Sequence, residues 1–141
     1  MKIRIAIKEP NKPLQIVMVE EGYRTETVKK YIDGYVQFVG LDGEKRLLTM
    51  GVDEDGLAKE LPTNFYLATN NFPSEKIVGV AVFTRHKYVN VFMENIYDYT
   101  LEDLTDLDIK SIERMLGEEY QREVEQIYKD NGGNTFRFIT F

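Results

Sequence analysis

The residues able to do chemistry are few, and the single histidine is the first to weigh. His86 lies in Thr84-Arg85-His86-Lys87. An imidazole can serve as a general base near neutral pH, and a carboxylate of the run Asp53-Glu54-Asp55-Gly56 would complete a small hydrolytic pair. Arg85 and Lys87, however, disfavour a charged imidazole, and no nucleophile motif accompanies it. The chain has no cysteine, no Gly-x-Ser-x-Gly elbow and no Gly-Lys-Ser/Thr loop. The expectation is a protein without catalytic residues, with His86 at the surface where a strand leaves its sheet. Asp53-Glu54-Asp55-Gly56 also opens like a calcium loop, whose pattern requires a glutamate at the twelfth position. Counting from Asp53, that position is Asn64. The run therefore reads as a surface turn, and neither metal nor cofactor is expected.

Binding is the stronger reading. Residues 97–130 carry eleven acidic and four basic side chains, net −7, while residues 1–96 hold thirteen of each sign. A negative field of that kind repels phosphate backbones and favours basic partners. Glu118, Glu119 and Glu123 are the carboxylates expected to meet a basic surface on a host protein, and Tyr97 and Tyr99, in the polar segment that precedes the helix, are candidate contacts. A second reading is a small-ligand site for a nucleotide-like anion, formed by the turns around Asp53 and Asn64 with Arg85 or Lys87 neutralising the phosphate. The nine tyrosines and eight phenylalanines fall mostly at alternating or helical positions, which assigns them to the core rather than to base stacking. Direct nucleic-acid binding is not expected.

These residues must be positioned by elements of two periods. Lys2 to Glu9 alternates with a period of two, placing Ile3, Ile5 and Ile7 inward and Lys2, Arg4 and Lys8 outward. Pro10-Asn11-Lys12-Pro13 is a turn, and Leu14 to Glu20 is the return strand of a hairpin. A short helix follows over about Thr25 to Asp33, capped by Thr25, with Val28, Tyr31 and Ile32 as its apolar stripe. Tyr35 to Leu41, with Tyr35, Phe38 and Val39 to bury, and Arg46 to Val52 form a second hairpin through Asp42-Gly43. Pro62 prevents a long helix in Leu57 to Ala68, so irregular turns are expected there. Lys76 to His86 reads as one strand, and Tyr88 to Met93 continues the sheet.

From Asp98 the period becomes helical. Thr100 or Thr105 can cap, each with an acidic residue three positions on. Ile109, Ile112, Leu116, Tyr120, Val124 and Ile127 share one face, giving one long amphipathic helix with Gly117 as a weak point and Asn131-Gly132-Gly133 as its stop. Thr135 to Phe141 reads as a final strand, and Phe136 to Phe141 as an edge able to pair two copies into a homodimer. The expected class is α+β: a mostly antiparallel sheet with one short helix and one long C-terminal helix followed by a strand. The 141 residues form a single domain with a charge-balanced part (1–96), an acidic helical part (97–130) and a terminal strand (131–141). The alternating N-terminus is unlike a signal peptide, and no stretch approaches the roughly 20 apolar residues that span a bilayer. A cytoplasmic protein without membrane contact is expected.

Several segments carry a family likeness over about residues 1–95. They are the strand ending Lys8-Glu9-Pro10, the stretch Thr27-Val28-Lys29-Lys30-Tyr31-Ile32-Asp33-Gly34-Tyr35-Val36, the runs Asp53-Glu54-Asp55-Gly56-Leu57 and Leu61-Pro62-Thr63-Asn64, and the strand Ile77-Val78-Gly79-Val80-Ala81. In these the chain resembles a family of small domains of unknown function carried by bacteriophages, plasmids and conjugative elements. The family tends to show Gly-Gly-Tyr in place of Asp33-Gly34-Tyr35, and Asn-Glu-x-Gly in place of Asp53-Glu54-Asp55-Gly56. The resemblance implies a fold and a mobile-element setting, including action on host machinery such as defence, but no catalytic residue. Gly34 and Gly56 are expected to supply backbone angles that other residues avoid, and Asn64 to satisfy the backbone of a turn.

Overall fold

Alternation along the first twenty residues builds the sheet's first hairpin. In the computed structural model, which describes residues 1–42, 47–68, 74–87 and 99–132, β1 (Lys2–Lys8) pairs antiparallel with β2 (Gln15–Glu20). Ile3, Ile5 and Ile7 are buried as their spacing requires. β3 (Val36–Gly40) and β4 (Leu48–Asp53) form the second hairpin. Asp42 Oδ2 accepts the Leu47 N–H at 3.3 Å across its mouth.

The strand expected over Lys76–His86 is two strands. Gly79 has φ +71°, and that left-handed residue turns the chain out of one sheet and into another. β6 (Glu75–Val78) pairs with β5 (Thr63–Leu67), a strand lying where irregular turns were expected. Pro62 blocks a helix there but precedes a strand without conflict. β7 (Ala81–His86) enters the main sheet, whose order is β2-β1-β7-β4-β3, all antiparallel, and the two-residue β8 (Leu101–Glu102) extends the β1 side of β7.

Both faces of the main sheet are covered. On one, α1 (Arg24–Val28) closes a core of Ile3, Ile5, Ile7, Val28, Ile32, Val82 and Leu101. Thr25 does not cap α1: the N-cap is Tyr23, without a side-chain bond. Tyr35, expected inside, is 72% exposed, because the strand begins one residue later. On the other face, the β5–β6 hairpin and two C-terminal helices enclose Leu48, Met50, Val52, Phe65, Ile77, Phe83, Leu104 and Ile112.

The long helix is broken at its weak point. α2 (Asp106–Met115) ends at Leu116, and Gly117 is the N-cap of α3 (Glu118–Asp130). The Gln121 carboxamide explains where α3 must sit. Its Oε1 accepts the Tyr66 N–H at 2.7 Å, and its Nε2 donates to the Tyr66 carbonyl and to Met115 O, both at 2.8 Å. Gln121 thus completes the open edge of β5 as a neighbouring strand would. Tyr120 Oη accepts the Ala68 N–H at 3.1 Å, and Ser74 Oγ donates to Val124 O at 2.8 Å. The expected terminal strand 135–141 and the continuation Tyr88–Met93 lie outside the described residues. Among the described residues no helix is long and apolar enough to cross a membrane.

Candidate functional site

The acidic segment divides into a part that the sheet neutralises and a part that it does not. Thr105 caps α2 in the manner its sequence predicts: Asp108 N–H donates to Thr105 Oγ1 at 3.0 Å and Thr105 N–H donates to Asp108 Oδ2 at 2.9 Å. The same Asp108 carboxylate, buried at 6% exposure, receives Arg85 from β7 through Nε at 2.7 Å and Nη2 at 2.8 Å. Burial alone would raise the Asp108 carboxyl, but the Arg85 and Thr105 hydrogen bonds outweigh it and hold it below its ordinary value of 3.8. The Asp108 hydrogen bonds in turn raise the Arg85 guanidinium.

A second arginine of the sheet works in parallel. Arg4 of β1 reaches Asp103 Oδ2 and Asp106 Oδ1, both at 2.9 Å, and its backbone N–H donates to Asp103 Oδ1 at 2.7 Å. These contacts hold the Asp103 carboxyl below 3.8, the side-chain bond from Arg4 contributing most. Asp103, Asp106 and Asp108 therefore belong to clamps that fasten the start of α2 to the sheet.

α3 is different. Its inner face holds Tyr120, Gln121, Val124 and Tyr128 toward β5 and β6, with Val124 buried and the Tyr66 and Tyr128 rings 5.2 Å apart. Glu118, Glu119 and Glu123 are exposed on the outside. Among the described residues, the cation paired with them is Arg122 of the same helix, 3.4 Å from Glu118 with both side chains largely in solvent. Such an exposed i,i+4 pair contributes at most about 0.5 kcal/mol and leaves the field largely intact. Lys129 lies 3.6 Å from Glu125 in the same way. The outer surface of α3 is thus an acidic strip on a firmly anchored helix.

The other residues singled out by sequence do not converge. Arg85 sits opposite Leu48 at one end of β4, whereas Asp53 ends the same strand five residues on, about 17 Å away at the usual strand rise. His86 N–H bonds to Leu47 O, so it is further still from Asp53, and the hydrolytic pair is not formed. His86 is also buried at 4% rather than at the surface. Its ring lies 4.4 Å from that of Tyr99, and the Arg24 guanidinium stacks on Phe38 and Tyr99 at 3.8 and 4.6 Å. Tyr99 is therefore a packing residue; Tyr97 lies outside the described residues.

Asp53 is itself a structural anchor. Lys59 Nζ donates to its Oδ2 at 2.7 Å and to the Asp33 carbonyl at 2.9 Å, and Asp53 Oδ1 accepts the Asp55 N–H at 2.9 Å. The Asp53 hydrogen bond raises the Lys59 ammonium. Gly34, at φ +127°, fits beneath this pair, where a Cβ would lie 2.7 Å from Lys59 Nζ. Gly56 does not use a positive φ; it is needed because a Cβ would lie 2.8 Å from Val78 Cγ2.

Asn64 bonds backbone on two segments, donating to Lys8 O at 2.7 Å and Gly79 O at 2.8 Å, and accepts from Lys8 Nζ at 3.0 Å. It fastens the corner where β6 leaves for β7. Lys87 lies 3.4 Å from Glu21. The groove of about 350 Å³ beside Asp53 also holds Asp33, Tyr31 and Leu61. Its ammonium, Lys59, is already held by the Asp53 carboxylate and the Asp33 backbone carbonyl, so the groove is not built for an anion.

The chain matches no protein-family model, no curated protein and no solved structure. Sequence reading missed Lys59, Arg4 and Gln121, whose partners are far away in the chain or across a turn. Only the Thr105-x-x-Asp108 spacing signalled its own half of a clamp.

Proposed function

We propose that this protein is a non-catalytic binding protein that engages a basic surface on another protein through the outer face of α3. The observation that supports this is the division of the acidic segment. Sheet arginines take Asp103, Asp106 and Asp108, while Glu118, Glu119 and Glu123 face solvent opposed by Arg122. Anchoring of α3 through Gln121 presents those carboxylates on a rigid element. Little ordering entropy is then lost on docking, and complementary charge accelerates encounter. The resemblance to domains of mobile elements points to a host protein as the partner. A basic surface that otherwise holds nucleic acid, as in a defence or DNA-processing factor, has the required chemistry.

The test is affinity capture from the native host with three proteins: wild type, E118K/E119K/E123K, and E26K/E54K/E60K. The last carries the same change in net charge on exposed positions of the balanced body. The proposal expects a captured protein to be kept by wild type and the body variant and lost by the α3 variant. Equal loss from both variants would reduce the effect to net charge, and retention by the α3 variant would exclude α3 as the interface.

A further inference from the structure

The hydrogen-bond phase of the β1–β2 hairpin determines what the sheet's β2 edge presents. Register pairs Lys2 with Glu20, Arg4 with Met18 and Ala6 with Ile16. Beyond the strand end, Glu21 N–H donates to Met1 O at 2.9 Å, so the odd residues of both strands bond to each other. Arg4 gives an independent check. Its N–H points away from β2 to Asp103, and its carbonyl accepts the Leu104 N–H. Alternation of the antiparallel ladder then turns the N–H and C=O of Ile16 and Met18 toward the open edge.

That edge carries few of the devices that keep sheets apart. Gln15-Ile16-Val17-Met18-Val19-Glu20 contains no lysine, no proline and no bulge, and Ile16 and Met18 are 42% and 52% exposed on one face. Among the described residues β2 has one strand neighbour, β1. Natural edge strands normally avoid this combination unless they are paired.

We infer that β2 pairs antiparallel with β2 of a second copy of this chain, about a two-fold axis at Val17. Side-chain parity admits only registers that place even residues opposite even ones. The register centred on Val17 sets Ile16 opposite the partner's Met18, so the exposed apolar side chains cover one another. It also leaves the Glu20 carboxylates of the two copies about 20 Å apart. Centring on Met18 instead would set Ile16 against the partner's Glu20. The Val17-centred pairing is self-complementary, as an isologous interface must be, and joins two sheets into one.

Because the chain lacks cysteine, the register can be tested by cross-linking. At the axis, Val17 and the partner's Val17 form a non-hydrogen-bonded pair with Cα atoms about 4.5 Å apart, within disulfide reach. Oxidised V17C is expected to become a covalent dimer, while V19C, whose twin lies about 14 Å away, stays monomeric. Light scattering of wild type is expected to give twice the 16.5 kDa of the chain, with M18K monomeric at unchanged circular dichroism. The amides of Ile16 and Met18 should exchange slowly in wild type and quickly in M18K. Equal cross-linking of V17C and V19C overturns the register. A monomeric wild type overturns the dimer, and if its Ile16 and Met18 amides are nonetheless protected, another segment of the same chain occupies the edge.

Discussion

Replacing Asp108 by alanine should destabilise the protein far more than an ordinary helix-cap change, because two functions meet on one carboxylate. The first is the capping box with Thr105, whose loss costs about 1 kcal/mol. The second is the bidentate bond to Arg85 at 2.7 and 2.8 Å. Breaking a buried pair by removing one partner costs roughly 3–5 kcal/mol. Arg85 retains 20% side-chain exposure, so water relieves part of that loss and the low end applies. The two contributions together give about 3–4 kcal/mol. With a urea slope of about 2 kcal/mol per molar, the midpoint should fall by about 1.5–2 M. Thr105→Ala, which removes the hydroxyl half of the cap alone, should cost about 1 kcal/mol. In a double-mutant cycle Arg85→Met should recover about 2 kcal/mol of the Asp108→Ala loss, since the unpaired guanidinium is gone. If Asp108→Ala costs no more than Thr105→Ala, and the cycle shows no coupling, the clamp does not fasten α2 to the sheet.

Three further outcomes follow from the same contacts. Asp103 and Asp108 have folded values below their ordinary 3.8, so their contribution to stability is full above about pH 4 and is lost as pH falls through the folded values. Urea midpoints should therefore drop steeply on acidification, and the acid limb of Asp108→Ala should be shallower. Gln121→Leu should cost about 2–3 kcal/mol by leaving backbone groups of β5 without their partner, and the Tyr66 amide, which donates to Gln121 Oε1, should lose its exchange protection. Gly51→Ala places a Cβ 2.8 Å from Val28 Cγ1 and 3.2 Å from Phe38, so thermal denaturation should show a loss of about 1–3 kcal/mol from overpacking.

What could be read from the sequence was what depends on neighbours along the chain. The period of two in Lys2–Lys8, the pairing of the strands on either side of Asp42 and the Thr105 cap follow from local signals, and each corresponds to a structural element or bond. The split at Gly79 is not legible in the sequence, because Ile77-Val78-Gly79-Val80-Ala81 is strand-like throughout and only the backbone angle distinguishes a corner from a strand. Gly117 is a visible weak point in the helical pattern, but its consequence depends on Gln121 finding the edge of β5, a contact 55 residues away. The same limit applies to the candidate sites. Asn64, Arg85 and Asp53 are conspicuous by type, yet each is committed to the backbone or to an ion pair. By contrast, Glu118, Glu119 and Glu123 depend on nothing beyond the helix that carries them.

Docking through α3 requires negative potential local to its outer face, and that potential can be measured without a partner. Paramagnetic relaxation by a cationic and by an anionic cosolute, compared amide by amide, reports the near-surface potential along the chain. The most negative values should lie at 118–126, with residues around Asp103, Asp106 and Asp108 close to those of the balanced body. A potential spread evenly over the surface, or strongest at the clamped aspartates, would contradict the account.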